Sequence, residues 1–160
     1  MGFNFTGIAI SKNYQDKIEE IEGILEMKLT FKEEIYFENA MSNHKPDNAC
    51  DIYFSEEGTI AFLGEPIQPD LNSLSTDRQI ASFMASETAM GFGLEVAKNG
   101  ALIRSMIEFN GNRMEDEGEP FEEENEGDGM EVVFQGIANT INKSFWGIEP
   151  DEKAYRYTIA

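Results

Sequence analysis

The chain of 160 residues has little of the chemistry that disulfides, zinc sites and nucleophilic catalysis need, since it contains one cysteine and one histidine. Cys50 has no second cysteine with which to form an intrachain disulfide. A structural zinc site takes about four ligands, mostly cysteine and histidine. Such a site is therefore excluded. A lone cysteine is typical of a reducing compartment, so we expect a cytoplasmic protein.

Basic residues are also scarce, with 12 Lys and Arg against 31 Asp and Glu and a formal net charge of −19. Proteins bind nucleic acids largely through cations that displace counterions from the phosphates. The charge therefore disfavours a nucleic-acid partner. The same charge would attract a basic protein by electrostatic steering, although an acidic surface can also serve only to keep a protein dispersed.

Long apolar runs are missing as well. No stretch approaches the roughly 18 apolar residues that span a bilayer, and the first ten residues lack the basic and apolar segments of a secretion signal. The sequence therefore predicts neither membrane attachment nor secretion. The hydrophobic fraction of 41% is enough for the core of one domain, which we assign to residues 1–160.

The strongest local pattern is Asn99-Gly100 between two alternating apolar runs, residues 88–97 and 101–110. Both central residues of a type I′ turn need a positive φ, which Asn and Gly tolerate best. The pattern predicts a β-hairpin. With Lys98 opposite Ala101, a regular ladder would place the large side chains on one covered face by pairing Val96 with Ile103, Leu94 with Ser105 and Phe92 with Ile107.

The rest of the chain alternates between β-rich segments and two amphipathic segments of helical period. Hairpins joining most strands favour an α+β fold: a single antiparallel sheet of about six to eight strands with two main helices packed on one face. That arrangement would leave the second face of the central hairpin free for a partner. The predicted strands are 3–10, 29–37, 50–54, 59–63, 79–85, 88–97, 101–110 and 155–159, and the helices are 14–25 and 128–142.

Residues 115–128 form the most acidic segment and contain no Lys or Arg. Like charges at this density predict a flexible, solvated loop. We expect this loop to contact a basic protein. The predicted partner-binding residues are Glu115, Asp116, Glu117, Glu119, Glu122, Glu123, Glu124 and Glu126.

The same segment offers a second interpretation, a calcium site. In residues 124–129, acids at the first, third and fifth positions precede a glycine at the sixth, as in an EF-hand loop, and the candidate ligands are Glu124, Glu126 and Asp128. The twelfth position, however, is Gln135 instead of the bidentate glutamate. No cofactor is predicted.

No catalytic set is predicted. His44 and Cys50 lie six residues apart, but a nucleophile and its base must also meet in space beside a third, orienting group. Glu95 and Glu108 could act as an acid and base if they shared a cleft. A small enzyme or ligand-binding domain with a pocket between sheet and helices remains the alternative. Trp146 could fill the core or anchor a partner.

Three motifs of the C-terminal half carry a resemblance: Lys-Asn-Gly-Ala-Leu-Ile-Arg-Ser at 98–105, Gly-Glu-Pro-Phe-Glu-Glu at 118–123, and Phe-Trp-Gly-Ile at 145–148 after an amphipathic helix. In these motifs the chain resembles small acidic bacterial proteins, some of which resemble toxin-neutralising immunity proteins. The resemblance implies no catalytic residues. With the charge, it favours a non-enzymatic protein-binding module.

Overall fold

The computed structural model describes residues 4–42, 45–121, 124 and 128–160. Within these residues, nine strands form one antiparallel sheet in the order β2-β9-β3-β4-β1-β5-β6-β7-β8, accompanied by four α-helices. The strands are β1 Asn4–Ile10, β2 Leu29–Tyr36, β3 Ala49–Ser55, β4 Gly58–Leu63, β5 Gln79–Ser86, β6 Gly91–Lys98, β7 Ala101–Phe109, β8 Asn112–Gly118 and β9 Lys153–Ile159. The helices are α1 Ile18–Leu25, α2 Phe37–Met41, α3 Leu71–Leu74 and α4 Gly129–Ile141.

The α+β class and the single antiparallel sheet are confirmed, with one strand more than the upper bound expected. The additional strand, β8, follows a second Asn-Gly turn at Asn110-Gly111, whose φ angles of 51° and 80° resemble the 51° and 87° of Asn99-Gly100. Both turns supply the two positive φ angles that a tight hairpin needs. Part of the segment predicted as an acidic loop is therefore a strand.

The two main helices lie on opposite faces of the sheet, so the prediction that they share one face was wrong. Helix α4 contacts β1, β5, β6 and β7 on one side. Helix α1 buries Ile21 and Leu25 on the other side, in a cluster that includes Ile8 and Ile52. The reason is that β1 is apolar on both faces, and a strand whose alternate side chains are all apolar needs cover on both sides.

The β6–β7 hairpin begins as predicted, with Lys98 opposite Ala101, but a bulge changes the register beyond it. Ala97 pairs with Leu102 and Val96 pairs with Arg104, which leaves Ile103 unpaired. An extra residue turns every following side chain to the opposite face. Consequently Met106 is buried, whereas Ile107 and Phe109 point away from α4.

From the sequence, a three-residue loop with Gly58 in the left-handed region would pair Phe54 with Ile60 in the β3–β4 hairpin. The structure differs by one residue: Phe54 pairs with Thr59, and the turn closes with Ser55 opposite Gly58. A Cβ on Gly58 would lie 2.3 Å from the Cβ of Ile141. This glycine therefore serves the close approach of β4 to the end of α4, not a left-handed turn conformation.

Helix α4 agrees with the helix predicted at 128–142. Asp128 is its N-cap, because the carboxylate accepts a hydrogen bond from the backbone N–H of Glu131 at 3.0 Å. Gly136 then lets the helix approach the sheet, since a Cβ there would lie 2.4 Å from Cδ2 of Leu94. These contacts fix α4 over one side of β5–β7.

Candidate functional site

On the side of β5–β8 that faces away from α4, helix α3 covers only the end near Ile80 and Ala97, and we call the rest of this side the open face. Alternation along the strands assigns its side chains, and the pairing aligns them in rows across the sheet. One row runs through Met84, Gly93, Ile107 and Glu115. The next row runs through Ser82, Glu95, Ser105 and Glu117.

Apolar side chains on the open face are partly exposed and adjacent. Met84, Ile107 and Phe109 have exposed fractions of 38%, 42% and 49%. Around Gly91, a Cβ would lie 3.4 Å from the ring of Phe109 and 4.0 Å from Cε of Met84. At Gly93 a Cβ would have no heavy atom within 4 Å. The space above Gly93 is therefore an open, shallow groove between Met84 and Ile107, and the Phe109 ring and Met84 close this groove at Gly91.

Three carboxylates lie on the open face: Glu95, Glu115 and Glu117. Across residues 79–118, all of which the structure describes, no Lys or Arg occupies a strand position on this face. Glu115 accepts a hydrogen bond from the Ser105 hydroxyl. The described residues form no salt bridge with any of the three carboxylates. The open face therefore combines apolar surface with uncompensated negative charge.

On the face beneath α4, by contrast, two carboxylates are paired, because a buried arginine binds both of them. Arg104 is 1% exposed. Its guanidinium donates to Glu124 through Nε at 3.1 Å and Nη2 at 2.9 Å, and through Nη1 to Asp116 at 2.6 Å. The hydrogen bond to Glu124 is the main cause that raises the pKa of Arg104. A paired, fully hydrogen-bonded guanidinium can be buried where an isolated charge cannot.

Glu124 and Asp116 therefore act within the fold. Glu124 is 4% exposed, and its carboxylate also accepts the backbone N–H of Phe121 at 2.8 Å. For Asp116, desolvation raises the pKa, but hydrogen bonds and charge from Arg104 and Arg113 outweigh it and hold the pKa below its usual value. Arg113 also pairs with Glu108 at 3.1 Å.

The predicted partner-binding residues thus divide into three groups. Glu115 and Glu117 lie on the open face in β8, and Glu119 is exposed just beyond it. Asp116 and Glu124 bind Arg104. The remaining three, Glu122, Glu123 and Glu126, lie outside the described residues.

The candidate calcium ligands do not converge in the described chain. Glu124 binds Arg104, Asp128 caps α4, and Glu126 lies outside the described residues. Among the residues that the structure describes, no three His, Cys, Asp or Glu side chains are grouped to hold a metal ion. Any ion bound by Glu124 would have to displace a buried arginine.

The candidate catalytic residues are likewise separated. Cys50 is fully buried, and desolvation raises the pKa of its thiol to about 12, so the nucleophilic thiolate does not form near neutral pH. His44 lies outside the described residues. Glu95 and Glu108 lie on opposite faces of the sheet, since Glu108 accepts the backbone N–H of Gly129 at the start of α4.

Trp146 lies at the surface, where its ring packs edge-on against Phe134 with centroids 4.8 Å apart. Its neighbours Phe145 and Ile148 supply the core contacts that the sequence motif suggested. The prediction that Trp146 fills the core is therefore wrong.

Two open clefts lie elsewhere on the described part of the chain. One, of about 180 Å³, is lined in part by Lys45, whose Nζ lies 3.1 Å from Asp51 and 2.7 Å from the carbonyl oxygen of Ala40. Burial lowers the pKa of Lys45, although Asp51 opposes this effect. Asp51 is in turn held by two hydrogen bonds from Arg156. These contacts make the cluster a buried structural ion pair.

The other cleft, of about 350 Å³, lies where β5 and β6 approach the end of α4. Gln79 in its wall donates to Asn139 at 2.9 Å and to Thr140 at 2.8 Å. Arg78, also in the wall, donates to the carbonyl oxygen of Leu74 at 2.6 Å. These polar groups join elements of the fold to one another and do not converge on the cleft's interior.

Sequence reasoning missed Ile107 and Phe109 as surface residues because the bulge at Ile103 was not anticipated. No signal within β7 marks the bulge, because a regular ladder would have turned the charged Arg104 outward, as is usual for such a residue. Searches of protein families, curated proteins and solved structures found no match to this chain. In the described residues, no helix has both the length and the apolar character required to cross a membrane.

Proposed function

We propose that this protein is a non-enzymatic binding module that docks on a basic protein through the open face, and that neutralisation of a toxin-like partner is one form of this role. The supporting observation is the open face itself. Exposed apolar side chains lie there beside Glu95, Glu115 and Glu117, with no Lys or Arg at a strand position of the face.

Such a surface suits protein recognition for two reasons. Apolar side chains that are contiguous and exposed favour burial by a partner, at roughly 25 cal/mol per Å² of apolar area removed from water. Carboxylates around them steer a basic partner and select its orientation. The acidic residues that bind Arg104 contribute to stability instead, so the proposed site is smaller than the acidic composition implies.

The test compares two triple variants of equal charge. The first replaces Glu95, Glu115 and Glu117 by Lys, and the control replaces the exposed residues Glu19, Glu56 and Glu65 by Lys. Tagged proteins are incubated with lysate of the organism that encodes the chain, at low and high salt. We expect the wild type and the control to retain the same salt-sensitive basic protein, and the open-face variant to lose it.

Circular dichroism should show that both triple variants remain folded, because five of the six positions are exposed and the sixth, Glu115, is only half-buried. Absence of any salt-sensitive partner would contradict the proposal. Equal retention by both variants would contradict the assignment to the open face.

A further inference from the structure

We infer that the open face receives an amphipathic basic helix of the partner, whose aliphatic side chains enter the groove at Gly93 while its Lys or Arg side chains reach Glu95, Glu115 and Glu117. This inference rests on the proposed function, since it names the partner segment that the same face would bind. It is carried by the shape of the groove and by the placement of the carboxylates.

The width of the groove suits a helix. Its two sides stand on β5 and β7, which are separated by two strand spacings, or about 9.5 Å. A helix with its side chains is about 10–12 Å across, so a side chain from its contact face can descend between Met84 and Ile107. Because Gly93 has open space above it, the descending side chain meets no side chain of β6.

The opposite face shows that these strands accept a helix. There α4 packs over β5, β6 and β7, and Gly136 of the helix makes room for Leu94 of the sheet. On the open face the relation is reversed, because the glycines belong to the sheet. The complementary helix therefore carries large aliphatic residues at its contact positions.

The negative charge of the open face favours a basic partner chain, and not a second copy of this protein, as the occupant of the groove. Two copies related by a two-fold axis through the open face would place Glu95, Glu115 and Glu117 near the same three carboxylates. That arrangement is repulsive. A helix with Lys or Arg on either side of its apolar stripe places opposite charges there instead.

Addition of an extended strand along β8 fits less well. The β7–β8 pairing contains a bulge at Met114, between the pairs formed by Ile107 and Glu108. Gly118 then ends the strand with φ near 88°. Bulges twist an edge away from further pairing, so the edge of β8 is a poor template for another strand.

Two synthetic helical peptides of equal positive charge serve as probes. One carries leucines at spacings of three and four residues between lysines, and the other has glutamine in place of each leucine. Dissociation constants are measured by fluorescence anisotropy at fixed salt. We expect the leucine peptide to bind the wild-type protein at least tenfold more tightly than the glutamine peptide.

Two single variants locate the apolar contact. Gly93→Val fills the groove at a position where a Cβ would have no heavy atom within 4 Å, and Ala101→Val adds two methyl groups at an exposed position outside it. We expect Gly93→Val to weaken binding of the leucine peptide about tenfold and leave binding of the glutamine peptide unchanged. The Ala101→Val control should bind both peptides as the wild type does.

The outcomes separate this inference from the proposed function. Equal binding of both peptides, with each weakened by Glu115→Lys and Glu117→Lys, overturns the inference and leaves charge-driven docking intact. Unchanged binding of the leucine peptide to Gly93→Val also overturns the inference. Tighter binding of an extended peptide of alternating Lys and Leu overturns the helical form of the partner. If neither peptide responds to the charge changes, the open face is not the docking surface and both proposals fail.

Discussion

The two faces of β5–β8 use the same residue types for different purposes. Beneath α4, Glu108, Asp116 and Glu124 all pair with Arg104 or Arg113. On the open face, Glu95, Glu115 and Glu117 form no salt bridge with any described residue. The count of acidic residues therefore says little about binding; the face on which each carboxylate lies separates structural acids from those available to a partner.

Two phenylalanines, Phe92 and Phe109, are likewise divided between the two faces. Phe92 of β6 is 6% exposed and lies against the start of α4, where a Cβ on Gly129 would be 2.9 Å from the Phe92 Cβ. Phe109 of β7 is half-exposed over Gly91. Phe92 therefore belongs to the core beneath α4, and Phe109 belongs to the open face.

The largest expected effect comes from comparing the two phenylalanines. Phe92→Ala should lower the free energy of unfolding by about 4 kcal/mol, because it removes a buried ring and leaves a cavity. Phe109→Ala should lower it by about 1 kcal/mol or less, because the ring is already half in water. Urea denaturation checks both values. Equal losses would show that the open face is as tightly packed as the face beneath α4.

Substitution of the buried Glu124 should give the next largest loss of stability. Glu124→Gln should cost about 3 kcal/mol of unfolding free energy, because Arg104 would stay buried with one anionic partner fewer. Glu119→Gln, at an exposed position in the same acidic segment, is the control and should change stability by less than about 0.5 kcal/mol. Thermal or urea denaturation measures the difference, and a negligible cost at Glu124 would contradict its structural role.

Alanine substitutions at two glycines compare the packing of the two faces. Gly136→Ala should destabilise the fold by about 2 kcal/mol, since the added methyl group would lie 2.4 Å from Leu94 Cδ2. Gly93→Ala should instead stabilise it by about 0.5 kcal/mol, because alanine loses less entropy in a strand and meets no neighbour. Both are measured by urea denaturation. A loss of stability at Gly93 would indicate that the groove is filled in the free protein.

The smallest expected effect is on the pH dependence of stability. Because the folded-state pKa of Asp116 is lowered, ionised Asp116 contributes stability above its unfolded pKa of about 3.9, and this contribution is lost as pH falls through the lower folded value. The stability advantage of the wild type over Asp116→Asn should therefore shrink below about pH 4. Denaturation at pH 7 and at low pH measures it. An advantage that grows with acid would contradict the ion pair with Arg104.

Local sequence signals predicted most of the individual elements. The Asn99-Gly100 turn, the helix that begins after Asp128 and strand β2 all follow from residues within a few positions of one another. The same turn signal at Asn110-Gly111 could have predicted β8. The like charges of residues 115–128 beyond it favour a solvated loop and so mask that signal.

Non-local interactions account for the errors. The bulge at Ile103 accompanies the burial of Arg104, and that burial depends on Glu124, twenty residues further along the chain. No periodicity in β7 alone reveals such a partner. The placement of α1 and α4 on opposite faces likewise depends on how β1 pairs within the sheet. The negative charge was evident from composition, but its division between the two faces required the register.

The most direct test of the central claim is a methyl-detected NMR titration of the wild-type protein with the leucine-containing basic peptide. The account predicts that the methyl signals of Met84 and Ile107, on the open face, shift and saturate. Those of Leu94 and Met106, beneath α4, should move far less. Shifts confined to methyl groups remote from β5–β8, or an unchanged spectrum, would contradict the claim that the open face is the binding surface.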